Sequence, residues 1–175
     1  MVTKKSMFVL LGILLISAWI LGSPIQAGTE ETLKWKNYSY VTKIEREPVG
    51  DVEGHFVSFA NRRSFCVFEN GEIATAFSVI TNDIIKGSGS ALQYTTLTFS
   101  DGSTIIMKAG YAVAGTAPGK QISAESTREI IKGTGRFEGI KGTGTGTTKY
   151  LPLEKGELGQ KGIGNFSITY TLPSK

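Results

Sequence analysis

The chain has 175 residues, with 19 Lys and Arg against 15 Asp and Glu, a formal net charge of +4. Its single histidine and single cysteine, His55 and Cys66, exclude an intrachain disulfide and a zinc site of several Cys and His ligands. The basic residues do not cluster as they do in nucleic-acid-binding proteins. We therefore expect no cofactor, no bound metal and no nucleic-acid partner.

In chain order, the first predicted element is a cleavable signal peptide, residues 1–27. Lys4 and Lys5 form a basic start, residues 7–21 are almost entirely apolar, and Ala27 is a small residue at a suitable cleavage point. The apolar run is shorter than the roughly 20 residues of a membrane-spanning helix, so we expect no stable membrane anchor after cleavage. The protein is predicted to be periplasmic or secreted, with one domain over residues 28–175.

That domain is predicted to be all-β. It is rich in Thr, Ser, Gly, Val, Ile and aromatic residues, and no long stretch has helical spacing. Short β-favouring runs recur between turn-forming dipeptides, and some of these runs are expected to fuse or split. The candidate strands are residues 32–45, 54–60, 64–69, 73–80, 92–100, 103–114, 122–131, 144–151 and 164–172.

Two dipeptides predict hairpins, Asn70-Gly71 and Asp101-Gly102. Both suit a two-residue turn in which the central residues have positive φ. Both faces of the second hairpin carry apolar residues, whereas an open sheet with one wet face would alternate more cleanly. The pattern favours a small closed antiparallel barrel of about eight strands with a partly covered exterior, which would suit a homo-oligomer.

The register of the second hairpin predicts a ligand-binding surface. A two-residue loop at Asp101-Gly102 places Tyr94, Met107 and Tyr111 on one face of the hairpin. Met and aromatic side chains form soft apolar linings, and a phenol can orient a ligand. These three residues are the candidate ligand-binding residues, with a dry packed core as the alternative.

Glycines crowd residues 133–146 in a pattern that indicates a barrel-closing motif. Gly133 and Gly135 allow the chain to leave a strand sharply. Phe137 can then plug the end of the barrel, with the charged residues on either side of it facing outward. Gly139 and Gly142 permit the return into the next strand.

This motif carries a family resemblance. The series of glycines around Phe137 resembles the Gly-Gly-(Thr/Ser/Ala)-Gly-x-Phe-x-x-(Ala/Val)-x-Gly run of the allene oxide cyclase and dirigent-protein superfamily, with Lys132 at the first Gly. The resemblance extends from Asp101 to the C-terminus, and the chain is also similar to a group of exported bacterial proteins with this barrel. It implies an eight-stranded antiparallel barrel with an apolar cavity, often in a dimer or trimer.

Three functions remain open at this point. The first is a barrel that binds a small apolar molecule in its interior, without evident catalytic machinery. The second is an isomerase or cyclase acting on an apolar reactive intermediate, for which His55 and Glu69 are the available acid or base groups. The third is an envelope interaction protein without a ligand. Cys66, within an aromatic run, is expected to be a small buried hydrophobe.

Overall fold

The computed structural model describes residues 29–113 and 123–174, and the predicted signal peptide lies outside them. Eight antiparallel strands pair in sequence order, and β1 also pairs with β8, so the sheet closes into a barrel. The strands are β1 (Glu30–Pro48), β2 (His55–Phe68), β3 (Ile73–Ile85), β4 (Ser88–Phe99), β5 (Thr104–Val113), β6 (Ser123–Thr134), β7 (Lys141–Tyr150) and β8 (Gly162–Thr171). The predicted all-β class and eight-stranded closed barrel are confirmed. Within the two described ranges, no helix is long and apolar enough to cross a membrane.

Alternation of side chains along each strand decides which residues fill the barrel. On β2, Ala60, Cys66 and Phe68 point inward and are buried, whereas Val57 and Phe65 lie on the outer surface. The candidate strands 54–60 and 64–69 are one continuous strand, because residues 61–63 keep their pairing with both β1 and β3. A polar stretch that suggested a break therefore belongs to the wall of the barrel.

The two hairpin turns contain three residues each, so the predicted two-residue turns are wrong. In the second hairpin, the N–H of Phe99 donates to the carbonyl of Ser103 at 3.0 Å, and only Gly102 has a positive φ, of 81°. The carboxylate of Asp101 accepts the N–H of Ser103 at 2.9 Å, which stabilises the longer loop. The extra loop residue shifts the register by one, and Tyr94 lies opposite Lys108.

One end of the barrel, where the β2–β3, β4–β5 and β6–β7 connections lie, is filled with side chains; we call it the closed half. Its aromatic rings form a continuous series with neighbouring centroids 4.9–6.3 Å apart, in the order Phe166, Trp35, Phe68, Phe99, Phe137 and Tyr170. Aliphatic side chains fill the space between them, and Ile105 and Ile168 are completely buried. The expected burial of Cys66 is confirmed, and burial raises the pKa of its thiol to about 12.

The glycine motif closes this end. Gly135 (φ +63°) begins a single 3₁₀ turn that places Phe137 in the core with 4% of its surface exposed. Gly139 also has a positive φ, of 75°, as the chain turns back towards β7. Gly133 has no such φ, but an added Cβ there would lie 2.1 Å from the carbonyl oxygen of Phe137. Phe137 therefore lies in the core at the closed end of the barrel.

Arg136 makes more contacts than its predicted outward position implied. Its side chain is 42% exposed and forms ion pairs with Glu72 and Asp101. Its guanidinium carbon also lies 4.8 Å from the ring centroids of both Phe99 and Phe137. Arg136 therefore covers the aromatic series and ties three connections of the closed half together.

Strand β7 leaves its inner face bare in the closed half. Gly142, Gly144 and Gly146 occupy successive inward positions, and an added Cβ at any of them would lie within 2.3 Å of an atom of β8. At Gly146 the nearest atom belongs to the ring of Phe166. The large inward side chains of β8 use the space that these glycines leave.

Candidate functional site

The other end of the barrel, where β1–β2, β3–β4, β5–β6 and β7–β8 are connected, contains a cavity; we call it the open half. The cavity volume is about 730 Å³. Its walls are mostly apolar side chains from the inward positions of the strands: Val41, Ile44, Phe56, Ala60, Ile80, Ile84 and Val113. The cavity therefore has an apolar wall and the dimensions of a small-molecule site.

A layer of polar side chains separates the cavity from the closed half. On β3, Ser78 lies between inward Ala76 of the closed half and inward Ile80 of the cavity wall. The Ser78 and Thr95 hydroxyls are 2.9 Å apart, and the Gln93 amide donates to both, at 3.0 and 2.8 Å. The buried hydroxyls are thus satisfied by one another and by Gln93, and they form a polar layer between the cavity and the closed half.

Arg62 projects from β2 into the cavity. One terminal nitrogen donates to the hydroxyl of Ser39 at 2.8 Å, and the other donates to the carbonyl of Gln160 at 2.9 Å. The guanidinium carbon lies 5.3 Å from the ring centroid of Tyr150. These partners are all neutral, so they fix the position of the guanidinium without compensating its charge.

Arg128 projects inward from β6 at the junction of the two halves. Its guanidinium carbon lies 4.3 Å from the ring centroid of Phe166, and only 8% of the residue is exposed. Its Nε is buried and has no hydrogen-bond partner among the described residues. Burial lowers the pKa of Arg128 to about 10, which leaves the guanidinium protonated at neutral pH.

Two phenols complete this group. Tyr111 and Tyr150 line the cavity on β5 and β7. Burial raises the pKa of Tyr111 above its usual range, and the positive charges of Arg62 and Arg128 act in the opposite direction. Tyr111 thus feels both guanidiniums, is protonated at neutral pH and can donate a hydrogen bond. We call Arg62, Arg128, Tyr111 and Tyr150 the cationic cluster.

The described lining of the cavity carries only positive formal charges. Arg46, Arg62 and Lys86 line it, and no Asp or Glu does. In the part of the chain that the structure describes, no carboxylate lies within ion-pair distance of Arg62 or Arg128. The site can therefore offer an apolar wall, hydrogen-bond donors and an uncompensated positive potential.

The structure separates the three predicted ligand-binding residues. Tyr111 lines the cavity, as its predicted role requires. Met107 is 1% exposed and belongs to the packed core of the closed half. Tyr94 is 42% exposed on the outer surface of β4, so its predicted place on the same face is wrong. The cause is the one-residue shift of the hairpin register, which turns each side chain of β4 to the opposite face.

The two predicted acid or base candidates lie at opposite ends of the barrel, and neither is among the residues that line the cavity. His55 begins β2 at the open end, and its ring nitrogens lie 2.6 Å from Asp51 and 2.9 Å from Asp83. Hydrogen bonds to Asp83 and Asp51 raise its pKa. Glu69 is exposed in the β2–β3 turn of the closed end. The structure does not bring these two residues together.

The sequence interpretation missed Arg62, Arg128 and Tyr150. The alternation of inward and outward side chains carried the signal. Arg62 lies on the same face of β2 as buried Ala60 and Cys66, and Arg128 lies on the same face of β6 as buried Ile130. A charged residue at an inward position of a β-barrel is a candidate for a function in the interior.

Comparison with solved structures supports the fold. The pterocarpan synthase dirigent protein GePTS1 is 17% identical, with a TM-score of 0.53, over 89% of this chain and 96% of that one. The pterocarpan synthase dirigent protein PsPTS1 is 16% identical, with a TM-score of 0.49, over 86% of this chain and 99% of the other. No protein-family model and no curated protein match the chain. The likeness to GePTS1 confirms, at the level of fold, the resemblance to a dirigent-type barrel.

Proposed function

We propose that this protein is an exported β-barrel that binds a small molecule, with a largely apolar body, in the cavity of its open half. The observation that carries the proposal is the preformed cavity of about 730 Å³, which lies within the range of roughly 300–1,000 Å³ that is usual for ligand sites. Its wall is apolar, so a ligand that buries its own apolar surface there gains roughly 25 cal/mol per Å² removed from water.

The contrast with the closed half supports a binding role. In the closed half, large inward side chains fill the barrel, and the inward positions of β7 are glycines that leave room for them. In the open half, inward side chains of the same strands, such as Ala60 on β2 and Ile80 on β3, surround a cavity and do not fill the barrel. The chain thus leaves space at one end that it fills at the other.

Native mass spectrometry of the protein purified from its own host tests the proposal. We expect a bound small molecule in the wild type and its loss in Ala60→Trp, which fills the cavity from β2. Val57→Trp is the matched control, because it adds the same indole to the outer face of the same strand. A wild-type mass without ligand, together with no binding of added apolar probes, would overturn the proposal in favour of the envelope interaction role.

The isomerase or cyclase alternative is favoured by one observation, the protonated phenol of Tyr111 close to two guanidiniums. Such a phenol could act as a general acid on a molecule held in the cavity. The structural neighbour GePTS1 is itself named a pterocarpan synthase. Isomerisation conserves mass, so the test is chromatographic: a supplied ligand recovered unchanged supports binding, whereas its Tyr111-dependent conversion supports catalysis.

Export is part of the proposal and is tested separately. Cleavage after Ala27 follows from the basic, apolar and small-residue series at the start of the chain. N-terminal sequencing of protein recovered outside the cytoplasm is expected to begin within a few residues of Gly28. An intact Met1 on membrane-bound material would contradict it.

A further inference from the structure

The cationic cluster places two positive charges where an entirely apolar ligand cannot use them. Arg62 and Arg128 have only neutral partners in the described part of the chain: hydroxyl and carbonyl groups for Arg62, and aromatic rings for both. A ligand without polar groups would displace water from these guanidiniums and offer no hydrogen bond in return. That desolvation opposes binding for each group left unpaired.

Arg128 is the stronger indication of the two. Few charged side chains are fully buried in proteins unless an opposite charge pairs with them. Arg128 is 8% exposed, and its Nε has no partner among the described residues. The ring of Phe166 compensates part of this cost through a cation–π contact at 4.3 Å. A counter-charge supplied from outside the chain would compensate the rest.

The vertical order of the cavity gives such a ligand an orientation. Arg62 lines the cavity, and Arg128 lies in the barrel interior against the ring of Phe166, within electrostatic reach of Tyr111 in the cavity lining. The aliphatic residues Ile44, Ile80 and Ile84 lie further towards the open end. Arg46 and Lys86 also line the cavity, nearer its opening. An anionic group close to Arg62 and Arg128, with an apolar body against the aliphatic residues, would satisfy both regions together.

We propose that the ligand of this cavity is an amphiphile whose apolar body carries one anionic oxygen group, and that Arg62 in the cavity lining and Arg128 at the junction of the two halves bind this group. The inference rests on the proposed binding function and specifies its ligand class. A guanidinium donates two parallel hydrogen bonds to a carboxylate, sulfonate or phosphate, and a charged acceptor makes these bonds about twice as strong as neutral ones. The phenol of Tyr111 supplies a further donor.

Two fluorescent probes that share one aromatic scaffold test the charge requirement. 8-Anilinonaphthalene-1-sulfonate has a sulfonate, and N-phenyl-1-naphthylamine lacks it; both become fluorescent in an apolar site. We expect the wild-type protein to bind the sulfonate at least tenfold more tightly than the neutral probe. A tenfold preference corresponds to about 1.4 kcal/mol.

Variants of one side chain assign the preference to the cluster. Arg128→Met is expected to reduce the affinity for the sulfonate at least tenfold and to leave that for the neutral probe within threefold. Arg128→Lys, which keeps the charge, should retain most of the preference. Arg63→Met is the matched control and should change neither affinity, because Arg63 lies on the outer face beside Phe77.

The ratio of the two affinities is measured on each protein, so a variant with a smaller folded fraction is still informative. If both probes bind the wild type equally, or if Arg128→Met weakens both to the same extent, the inference is overturned while the proposed binding function stands. If neither probe binds the wild type, the proposed function itself fails. If Arg63→Met abolishes the preference, the sulfonate is bound on the outer surface and the inference is overturned.

Discussion

The closed and open halves of the barrel are lined by the same eight strands and differ in what occupies their interior. In the closed half, six aromatic rings and several aliphatic side chains leave no room for a ligand. In the open half, aliphatic side chains surround a cavity of about 730 Å³ above a layer of polar and cationic groups. The packed half supplies stability, and the strands that it fixes extend into the half that holds the cavity.

This division explains how a barrel without a disulfide keeps an empty interior at one end. Cys66 is the single cysteine of the chain, so strand pairing and packing must hold the barrel closed. Each inward aliphatic residue of the open half borders the cavity on one side, so it makes fewer van der Waals contacts than an inward aliphatic residue of the closed half. The predictions that follow test whether stability and binding are divided between the halves in this way.

The largest expected effect is the removal of the plug. Phe137→Ala should lower the free energy of unfolding by about 3–5 kcal/mol, because the ring contacts Phe99 and Tyr170 in a fully packed core. Urea melts measure the change. Leu153→Ala, at an exposed position outside the strands, is the control and should stay within about 0.5 kcal/mol. A small effect of Phe137→Ala would show that the closed half is not the main source of stability.

The same truncation made in each half compares them directly. Ile105→Ala in the closed half should lower the free energy of unfolding by about 4 kcal/mol, and Ile80→Ala in the cavity wall by about 2 kcal/mol. Ile105 is surrounded by side chains, whereas Ile80 already borders a cavity. Equal losses in paired urea melts would contradict the division.

A smaller effect is expected from two glycines with different surroundings. Gly135→Ala should lower the free energy of unfolding by about 1–3 kcal/mol, because the φ of Gly135 is +63° and the new Cβ would lie 2.4 Å from the hydroxyl oxygen of Ser103. Gly110→Ala should raise the free energy of unfolding by roughly 0.5–1 kcal/mol, because Gly110 lies on β5 and nothing lies within 4 Å of the new Cβ. Thermal unfolding of both variants gives the order, and a stabilising Gly135→Ala would be evidence against a strained turn at the closed end.

The smallest expected effect is electrostatic and lies at the rim of the open half. Asp83→Asn should lower the pKa of His55, because the hydrogen bond to Asp83 is the main cause of its upward shift. Titration of the imidazole by NMR measures this, with Glu53→Gln as a control that should leave the pKa unchanged. An unchanged pKa in Asp83→Asn would show that this contact is absent in solution.

The direction of the pH dependence at this rim follows from the two shifts. The raised pKa of His55 adds stability that is complete below the ordinary value of 6.5 and is lost as the pH rises through the folded-state pKa. The lowered pKa of Asp51 adds stability above its ordinary value of 3.8, which is lost as the pH falls through the folded-state pKa. Both contributions to stability are therefore present together between pH 3.8 and pH 6.5.

Much of the fold could be predicted because strand alternation and turn dipeptides are local signals. The positions of both hairpins were correct, and Phe137, which was expected in the interior, is buried. Loop length was harder to predict, because an Asp-Gly dipeptide fits loops of two or of three residues; in the three-residue loop found here, the carboxylate of Asp101 accepts the N–H of Ser103. One residue of error was enough to move Tyr94 from the interior to the outer surface.

The site was less predictable than the fold because it depends on residues far apart in sequence. Arg62 and Arg128 belong to different strands that do not pair with one another, and their common position in the interior follows only from closure of the barrel. The predicted homo-oligomer stays a prediction. Native mass spectrometry of variants on the outer face of β1, β2 and β3 would test it. The exposed aromatic side chains there are Tyr38, Tyr40, Phe65 and Phe77.

The bare inner face of β7 has a consequence for how the molecule is made. Because β7 contributes only hydrogen atoms there, its part of the core stays empty until β8, the last strand of the chain, brings Phe166, Ile168 and Tyr170. Closure then joins residues as distant as Glu31 and Tyr170, whose side chains are 2.7 Å apart and 139 positions apart in sequence. Such non-local pairing is slow. A nascent chain would therefore complete this core only after β8 has been synthesised.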